Sequence, residues 1–510
     1  MFPLDSGDHS SSYLKSRGDE TLSLKESCGV FGAYAKKGGV FPYLYWGMLA
    51  QNHRGHQSHG FATLHDVIQC YTGLGLIPSM EAKKQISEFN ALKGRMGIAN
   101  VRYATSGPSD VSSLQRDAMP IQVSDGERSL AISFNGNIVN VRSLQRRVDA
   151  PSNTSDTHAL ALLILQRLKE TGSITEAARS CMRGIDGSFS VTGLTNDGTL
   201  FAFKDPVGVK PLCYGCNGDI HAFSSESVGL DINGIELQHE LRPGELIAIQ
   251  DNEFYKEQLV KSHRRAFCAF EFAYFARPDS KINGKYVYQA RKDFGIALAK
   301  VYEEKASKCE AVISLPETAN DAAYGFHEES GITWDMASRR HRYMTQRAFI
   351  VASGVREEVL ARKVNLLKDR VKGKTLAVVD DSIVRGDTTR NNVARFREAG
   401  TKQVHLFITF PKIIGPCFYG IDMSTYGELI GANLDPEGVA EEIGADSVNY
   451  LPVQDYVEAT GMDINQLCLG CVTGKYPTPL ANELAEEMKG RLGKGESERG
   501  RIYEMESASD

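Results

Sequence analysis

One segment of the second half, residues 376–389, constrains the fold more than any other part of the chain. It reads Leu-Ala-Val-Val-Asp-Asp-Ser-Ile-Val-Arg-Gly-Asp-Thr-Thr. Its apolar start indicates a strand that is buried on both faces, as in parallel sheets. Two acids, a glycine and two threonines follow, and we expect a helix to begin near Arg390. Because backbone N–H groups at a helix start attract phosphate, the segment predicts a phosphate–sugar site.

The polar residues of this segment suit two kinds of ligand. Thr388 and Thr389 offer hydroxyl donors to a phosphate. Asp380 and Asp381 suit the two hydroxyls of a ribose, or a magnesium ion between the carboxylates. An ordinary strand-to-helix turn with solvated acids is the alternative. The order of strand, paired acids, glycine and threonines favours the ligand site.

The pattern of the chain changes near residues 261–265, and 510 residues are too many for one hydrophobic core. Before this point, short β-prone runs alternate with turns, and residues 157–169 have helical spacing. After it, apolar runs at 311–315 and 376–379 each precede a loop and a helical segment, which predicts a βα-type sheet. From about residue 485 the chain is rich in charge, Gly and Ser, and we expect a disordered tail.

Composition limits the partners and the compartment. The net charge of −6 argues against a nucleic-acid-binding face. No apolar run is long enough to cross a bilayer, and the first residues do not form a secretory signal, so we expect a cytoplasmic protein without a membrane partner. Ten cysteines in such a chain are better explained by metal binding or catalysis than by disulfides.

Cys28 follows a polar leader of residues 1–27 and precedes a glycine and an apolar run. If the bond between Ser27 and Cys28 is cut, the α-amine of Cys28 becomes free beside its own sulfur. An α-amine titrates near ~8, so it can accept the thiol proton at neutral pH. Cys28 is therefore a candidate nucleophile. The alternative is an inert cysteine buried at a strand edge.

Together, Cys28 and the phosphate segment resemble signatures of the amidophosphoribosyltransferases. Residues 380–386 are similar to the phosphoribosyl-pyrophosphate loop of that family, and the resemblance extends from Cys28 to about Pro479. It implies an α/β and α+β architecture: an N-terminal-nucleophile glutaminase, an αββα sandwich, followed by a type I phosphoribosyltransferase domain with a parallel sheet. The expected divisions are a leader or propeptide (1–27), a type-2 glutamine amidotransferase domain (28–262), a phosphoribosyltransferase domain (263–450), a cluster-binding segment (451–484) and a tail (485–510).

The resemblance also implies an activity and its partners. Members of the family use glutamine to convert phosphoribosyl pyrophosphate into 5-phosphoribosylamine, the first step of de novo purine synthesis. On the same ground we expect Mg²⁺ as a cofactor, a homotetramer, and purine nucleotides as effectors.

Site residues follow from the same resemblance. Cys28 would be the nucleophile, with Asn135 and Gly136 as the oxyanion hole, where losing one donor typically costs ~3 kcal/mol. The expected glutamine ligands are Arg54, Arg102 and Asp156. An Arg fork matches a carboxylate in two-point geometry. The expected phosphoribosyl-pyrophosphate ligands are Asp380, Asp381, Ser382, Gly386, Thr388, Thr389, Thr318, Arg342 and Lys363, with Asp380 and Asp381 also holding Mg²⁺.

Four cysteines form a further group: Cys268, Cys417, Cys468 and Cys471. Four thiolates from three separate segments could hold a tetrahedral zinc ion or an iron–sulfur cluster. These positions match the ligands of the iron–sulfur branch of the family, a branch that also tends to carry a cleaved propeptide. The resemblance therefore implies a [4Fe-4S] cluster that ties the C-terminal segment to the second domain.

Two positions depart from the family pattern. Ala319 stands where the pyrophosphate loop has Gly, and Ala fits poorly where the backbone needs a positive φ or a close approach to a diphosphate. Asp387 replaces a Thr or Asn, and an extra anion near a phosphate is unfavourable unless it points outward or serves a metal.

Two alternative functions stay open because of these departures. One is a divergent paralogue, a glutaminase that supplies ammonia to a different phosphosugar. The other is a non-catalytic protein that senses a sugar diphosphate and keeps its leader.

Overall fold

Two antiparallel sheets form the first half of the chain. The computed structural model describes residues 28–81, 85–103, 111–151, 153–262, 264–340 and 364–494. Its first-half strands are β1 (Gly29–Ala35), β2 (Ser58–Leu64), β3 (Ile68–Leu74), β4 (Met96–Arg102), β5 (Ile121–Ser124), β6 (Ser129–Ile138), β7 (Gly187–Thr195), β8 (Leu200–Lys204), β9 (Cys213–Cys216), β10 (Ile220–Ser224), β11 (Leu237–Glu240), β12 (Glu245–Gln250) and β13 (Glu253–Gln258). Within these residues, one sheet has the order β11-β9-β10-β1-β4-β2-β3 and the other β13-β12-β8-β7-β6-β5.

Helices cover the outer faces of both sheets and complete the predicted αββα sandwich. They are α1 (Phe41–Ala50), α2 (Ile86–Ala91), α3 (Val111–Arg116), α4 (Val141–Arg147), α5 (Asp156–Thr171), α6 (Ile174–Gly184) and α7 (Ser227–Asp231). The core between the sheets includes Val30 and Ile98 from one sheet and Leu194 and Ile247 from the other. Separate cores lie under α1, α2 and α7 and under α4, α5 and α6.

Local signals explain the longest of these helices, α5. Ser155 caps its start, because the Ser155 hydroxyl accepts a hydrogen bond from the His158 N–H at 3.3 Å. Leu160, Ile164 and Leu168 recur at helical spacing and are buried against the six-stranded sheet. The helix ends at Gly172, which has φ +69°.

A parallel sheet forms the centre of the second half. The strands described there are β14 (Phe267–Cys268), β15 (Lys281–Ile282), β16 (Lys285–Tyr286), β17 (Ala311–Ser314), β18 (Ser338–Arg340), β19 (Val364–Leu366), β20 (Thr375–Asp380), β21 (Gln403–Ile408), β22 (Ser447–Tyr450) and β23 (Leu467–Cys468). The sheet order is β17-β20-β21-β22, all parallel. The apolar runs at 311–315 and 376–379 correspond to β17 and β20, so the predicted parallel sheet is confirmed.

The helices of the second half pack on this sheet and on the C-terminal segment. They are α8 (Val287–Val301), α9 (Glu303–Ala306), α10 (Asn320–Ser330), α11 (Lys368–Val371), α12 (Asp387–Glu398), α13 (Ile430–Asn433), α14 (Pro436–Ile443), α15 (Val453–Thr460), α16 (Gly470–Thr473) and α17 (Pro479–Gly493). A π-helical turn covers Glu271–Phe275. None of the helices in the described ranges is long and apolar enough to cross a membrane.

The C-terminal helix α17 corrects one expectation. The tail was expected to be disordered from residue 485, but the chain is helical as far as Gly493. Ala485 and Met488 are buried one turn apart and contact the core of the second half. The charged residues that suggested disorder lie on the opposite, exposed face of an amphipathic helix. Residues 495–510 lie outside the described ranges.

The substitution Met488→Ala should loosen α17. Removing a buried Met side chain typically costs about 2–5 kcal/mol, whereas Glu486→Ala on the exposed face should change stability by less than about 0.5 kcal/mol. Limited proteolysis followed by mass measurement should show faster cleavage after residue 479 in Met488→Ala alone. Equal cleavage rates in the two variants would contradict the packing of this helix.

Candidate active site

Cys28 lies immediately before β1, in the middle of the seven-stranded sheet. Its thiol is half-buried and donates a hydrogen bond to the Tyr103 carbonyl, with an Sγ–O distance of 3.6 Å. Burial raises the pKa of the Cys28 thiol, although the positive charges of Arg102 and Lys210 act in the opposite direction. The thiol is therefore protonated at neutral pH and needs a nearby base before it can attack a substrate.

Arg102 and Asp156 carry opposite charges close to Cys28. Arg102 ends β4 and is buried, and its Nη2 lies 3.8 Å from an Asp117 carboxylate oxygen. Asp156 begins α5, and burial raises the pKa of its carboxyl while Arg102 lowers it. The charges of both residues also act on the Cys28 thiol. The structure thus places a cation and an anion beside the nucleophile, as the α-carboxylate and α-ammonium groups of an amino acid require.

Asn135 and Gly136 lie in β6, which faces the start of β1. The side chain of Asn135 is fully buried, and neither of its polar atoms has a hydrogen-bond partner in the described part of the chain. Buried amides are normally paired, so both atoms are available to a ligand. Asn100 donates from Nδ2 to the Gly29 carbonyl at 2.9 Å and to the Phe134 carbonyl at 3.4 Å. It therefore ties the nucleophile strand to the strand that carries Asn135.

Arg54, an expected glutamine ligand, binds the backbone of Cys28 and two carboxylates in the structure. It lies in a short 3₁₀ turn, Asn52–Arg54, and is buried. Its Nε donates to the Cys28 carbonyl at 3.2 Å, and its Nη groups donate to Glu226 and Glu271 at 2.6 Å each. Desolvation lowers the pKa of Arg54, but the charges of the two carboxylates raise it by more. The net shift of the pKa is therefore upward. The guanidinium therefore holds the backbone of the nucleophile, and its expected contact with glutamine stays a prediction.

The second site lies at the end of β20. Asp381 is buried and accepts hydrogen bonds from the hydroxyls of Ser382, at 2.7 Å, and Thr318. Burial raises the pKa of both Asp380 and Asp381, and repulsion between the adjacent carboxylates raises that of Asp380 further. A bound cation would favour the ionised form of both acids. The predicted contacts of Asp380 and Asp381 with Mg²⁺ and ribose hydroxyls stay predictions.

The loop after β20 turns into α12 at Gly386, which has φ +89°. A Cβ there would lie 2.9 Å from Ile430 Cδ1, so glycine is required for its conformation and for space. The helix begins at Asp387, three residues before the predicted start, and Thr388 and Thr389 lie in its first turn. Their N–H groups therefore belong to the helix N-terminus, where a phosphate is favoured.

Both departures from the family pattern are accommodated. Ala319 has φ −85° and is buried just before α10, so this position does not need the positive φ that favours glycine. Asp387 accepts a hydrogen bond from Arg390 Nη1 at 2.9 Å, which neutralises its charge at the helix start. Arg342 and Lys363, the predicted diphosphate ligands, lie outside the described residues.

The four cysteines converge at one edge of the second-half core. Cys268 and Cys468 are directly opposite each other in the parallel pair β14–β23. Burial raises the pKa of the Cys468 thiol to about 12, and the Cys417 thiol adds to this effect. Burial is also the main cause of the raised pKa of the Cys471 thiol. The charges of Cys417, Cys468 and Cys268 raise this pKa further. The charges of these cysteines act on one another, so the three segments lie close together. Among the described residues, however, no group of three or more His, Cys, Asp or Glu is arranged to hold a metal ion, and the cluster stays a prediction.

Comparisons with known proteins agree with this geometry. A family model described as "Glutamine amidotransferase domain" matches residues 109–231. The amidophosphoribosyltransferase of Methanothermobacter thermautotrophicus is 33% identical over 470 residues, which cover 91% of this chain and 97% of the relative. The enzyme of that name from Bacillus subtilis is 34% identical over 473 residues, covering 90% of this chain and 96% of the relative.

A solved structure shares the whole fold. The glutamine phosphoribosylpyrophosphate amidotransferase from B. subtilis, complexed with ADP and GMP, superposes with a TM-score of 0.79 at 34% identity. The superposition covers 89% of this chain and 98% of the solved chain. The chain belongs to the amidophosphoribosyltransferase family. The order of a class-II glutaminase followed by a parallel-sheet domain is therefore that of the family.

Several residues that support the two candidate sites could not be predicted from the sequence. Lys210 is almost fully buried, and its charge acts on both Cys28 and Cys268. Glu226 and Glu271 are equally buried and bind Arg54. Each residue is a single charged side chain in an irregular stretch of sequence. No periodicity or motif distinguished them from surface charges.

The substitution Asp380→Asn should stabilise the protein when no divalent cation is present. Because folding raises the pKa of this acid, the unfolded chain releases its proton first, and wild-type stability falls as pH rises from about 4. The thermal midpoint of Asp380→Asn should therefore exceed that of the wild type by roughly 2–4 °C per kcal/mol relieved, with a larger gap at pH 8 than at pH 5. A gap that is independent of pH would contradict the repulsion between the two carboxylates.

Proposed function

We propose that this protein hydrolyses glutamine in its first half and uses the ammonia to convert phosphoribosyl pyrophosphate into 5-phosphoribosylamine, the first step of de novo purine synthesis. The observation that carries the proposal is identity of 33–34% to amidophosphoribosyltransferases over about nine-tenths of the chain. The convergence of Cys28, Arg102, Asp156 and Asn135 supports the glutaminase half. The paired acids at the end of β20 support the transferase half.

Glutamine hydrolysis begins once residues 1–27 have been removed. The free α-amine of Cys28 accepts the proton of its own thiol, which burial otherwise keeps protonated. The thiolate attacks the glutamine amide carbon, and the amide oxygen becomes an oxyanion held by the Asn135 side chain and the Gly136 N–H. As this intermediate collapses, the protonated α-amine of Cys28 gives its proton to the leaving nitrogen, the C–N bond breaks, and ammonia departs to leave a thioester. Water then hydrolyses the thioester to glutamate and restores the thiol.

Arg102 and Asp156 orient the substrate in this scheme. The guanidinium of Arg102 pairs with the α-carboxylate of glutamine, and the Asp156 carboxylate pairs with its α-ammonium group. Burial strengthens both contacts, because charges attract more strongly where water is excluded. Arg54 orients the nucleophile through the Cys28 carbonyl.

Ammonia reaches carbon 1 of the bound sugar inside the protein and displaces pyrophosphate. Asp380 and Asp381 bind the ribose hydroxyls, while Ser382, Gly386, Thr388 and Thr389 form the cradle for the 5′-phosphate. Thr318 belongs to the pyrophosphate loop, and Arg342 and Lys363 complete the diphosphate contacts. The same two carboxylates would hold Mg²⁺, which neutralises the leaving diphosphate when bound. Catalysis in this half consists of positioning and charge stabilisation.

A coupled assay on anaerobically purified protein tests the function. Wild-type protein should release glutamate and pyrophosphate in equal amounts. Cys28→Ala should lose glutamine-dependent turnover by at least ~10³-fold, as enzymes do without their nucleophile, while ammonia-dependent turnover persists. Glutamate release without pyrophosphate release would favour the divergent paralogue. Intact-mass measurement of a chain that still carries residues 1–27, together with no glutamate release, would favour the non-catalytic sensor.

We further propose that Cys268, Cys417, Cys468 and Cys471 hold a [4Fe-4S] cluster. Four thiols from three segments, that of Cys268 buried and the other three half-buried, are the donor set that such a cluster takes. Bound iron would offset the mutual repulsion that accompanies their ionisation. The cluster would join the C-terminal segment to the second domain and takes no part in the reaction steps.

Metal and sulfide analysis distinguishes the cluster from zinc. The anaerobic protein should contain about four iron atoms and four acid-labile sulfides per chain. Cys468→Ser should lower both, whereas Cys309→Ser, which changes a buried cysteine elsewhere, should leave them unchanged. One zinc ion per chain without sulfide would contradict the cluster.

The relatives also support a regulated assembly. One solved relative is complexed with ADP and GMP, and another is described as the allosteric regulatory enzyme of purine biosynthesis, with a TM-score of 0.79 at 33% identity. We propose purine nucleotides as effectors, a homotetramer as the assembly and the cytoplasm as the location.

A further inference from the structure

The oxyanion strand β6 touches a loop of the second half. Asn137, next to Gly136, donates from Nδ2 to the Phe418 carbonyl at 2.9 Å, and both residues are buried. Gly420 packs on the carbonyl of Gly136, where a Cβ at residue 420 would lie 2.9 Å from that oxygen. Gly420 also has φ +86°, so it needs glycine for its conformation as well as for space. Residues 418–420 are therefore in direct contact with the backbone of the proposed oxyanion hole.

Residues 418–420 are held in place by the cysteine-bearing part of the second half. Cys417 immediately precedes them, and the Tyr419 N–H donates to Cys417 Sγ at 3.4 Å. The Tyr419 hydroxyl lies 3.0 Å from Thr478 Oγ1, just before the C-terminal helix. Lys210 Nζ, which comes from the glutaminase half, lies 3.5 Å from the Gly420 carbonyl. The loop is thus anchored on both sides and has little freedom to move away from β6.

A second contact of the same kind holds the nucleophile. Glu271 lies three residues after Cys268 and binds Arg54, which in turn donates to the Cys28 carbonyl. Glu226, the other partner of Arg54, accepts hydrogen bonds from the Arg277 N–H at 2.9 Å and the Ser280 hydroxyl at 2.7 Å. Both walls of the glutamine site therefore rest on segments that follow a cysteine of the four-cysteine group.

We propose that these two segments are positioning elements for glutamine hydrolysis. Residues 418–420 set the backbone of Gly136 and Asn137, and Glu271 sets the carbonyl of Cys28 through Arg54. None of these positioning residues needs to touch glutamine. An oxyanion donor must lie about 2.7–3.1 Å from the developing charge, and a 1 Å displacement can cost about 10²-fold in rate. The inference rests on the proposed function of the first half.

Two glycine variants test the first contact. Gly420→Ala places a methyl group against the Gly136 carbonyl. Gly444→Ala is its matched control, because Gly444 also has a positive φ, +76°, but a Cβ there would have its nearest neighbour, Val393 Cγ1, at 3.9 Å. Both variants pay the left-handed cost of about 1 kcal/mol or more. We expect Gly420→Ala alone to lower kcat with glutamine by about 10–100-fold, with KM for glutamine and ammonia-dependent turnover within about 2-fold of wild type.

Two asparagine variants test it without backbone strain. Asn137→Ala removes the hydrogen bond to Phe418. Asn449→Ala is a stricter control, because it removes a bond from a buried Nδ2 to the Leu406 carbonyl at 2.9 Å inside the parallel sheet and also the hydrogen bonds of Asn449 with Ser447 and Lys305. We expect only Asn137→Ala to lower the ratio of glutamine-dependent to ammonia-dependent turnover, by about 10-fold.

Alkylation of Cys28 gives a readout that does not need the oxyanion hole. Its rate with iodoacetamide, followed by peptide mass mapping, should be the same in Gly420→Ala and wild type, because the nucleophile itself is intact. Equal kcat losses in Gly420→Ala and Gly444→Ala, or parallel losses of both turnovers, would overturn the inference. Wild-type protein that hydrolyses glutamine but forms no phosphoribosylamine would refute the proposed transfer, and the glutaminase rates of the variants would still decide the inference. Wild-type protein that hydrolyses no glutamine would overturn both.

Discussion

A guanidinium and two carboxylates, all removed from water, meet where the two halves of the chain touch. Arg54 follows α1, Glu226 precedes α7, and Glu271 lies in the second half. Breaking such a buried set by removing one member typically costs about 3–5 kcal/mol, because the remaining charges lose their compensation. A fully hydrogen-bonded buried network also specifies one arrangement of the groups around it. The relative placement of the two halves, and of Cys28 between them, depends on this network.

The two candidate sites have different arrangements of charge. Near Cys28, the charges of Arg102 and Asp156 balance each other, so this site suits a zwitterion such as an amino acid. At the end of β20, Asp380 and Asp381 repel each other and leave a local excess of acid. That excess suits a cation-bound sugar diphosphate, whose own charge would otherwise be repelled. The charges near Cys28 come from a strand end and a helix start, whereas Asp380 and Asp381 are neighbours at one strand end.

Features carried by neighbouring residues could be predicted from the sequence. The strand, acids and glycine of residues 376–386 predicted β20 and the loop that leads into α12. The helix periodicity of residues 157–169 predicted α5. Contacts with distant partners could not be predicted in this way, because Arg54 is an ordinary loop arginine until Glu226 and Glu271 fold against it. The disordered-tail prediction failed for a related reason, since α17 gains its stability from packing on the second half and its polar face dominates the local composition.

The contacts that hold Cys28 have a consequence for maturation. Arg54 binds the carbonyl of Cys28, the thiol contacts the Tyr103 carbonyl, and β1 begins at Gly29. Among the described residues, none of these three contacts uses the nitrogen of Cys28. Cutting the Ser27–Cys28 bond, as the proposed scheme requires, would change that nitrogen from an amide into a basic amine and would leave these three contacts in place. In that scheme, activation is a change in the chemistry of one atom.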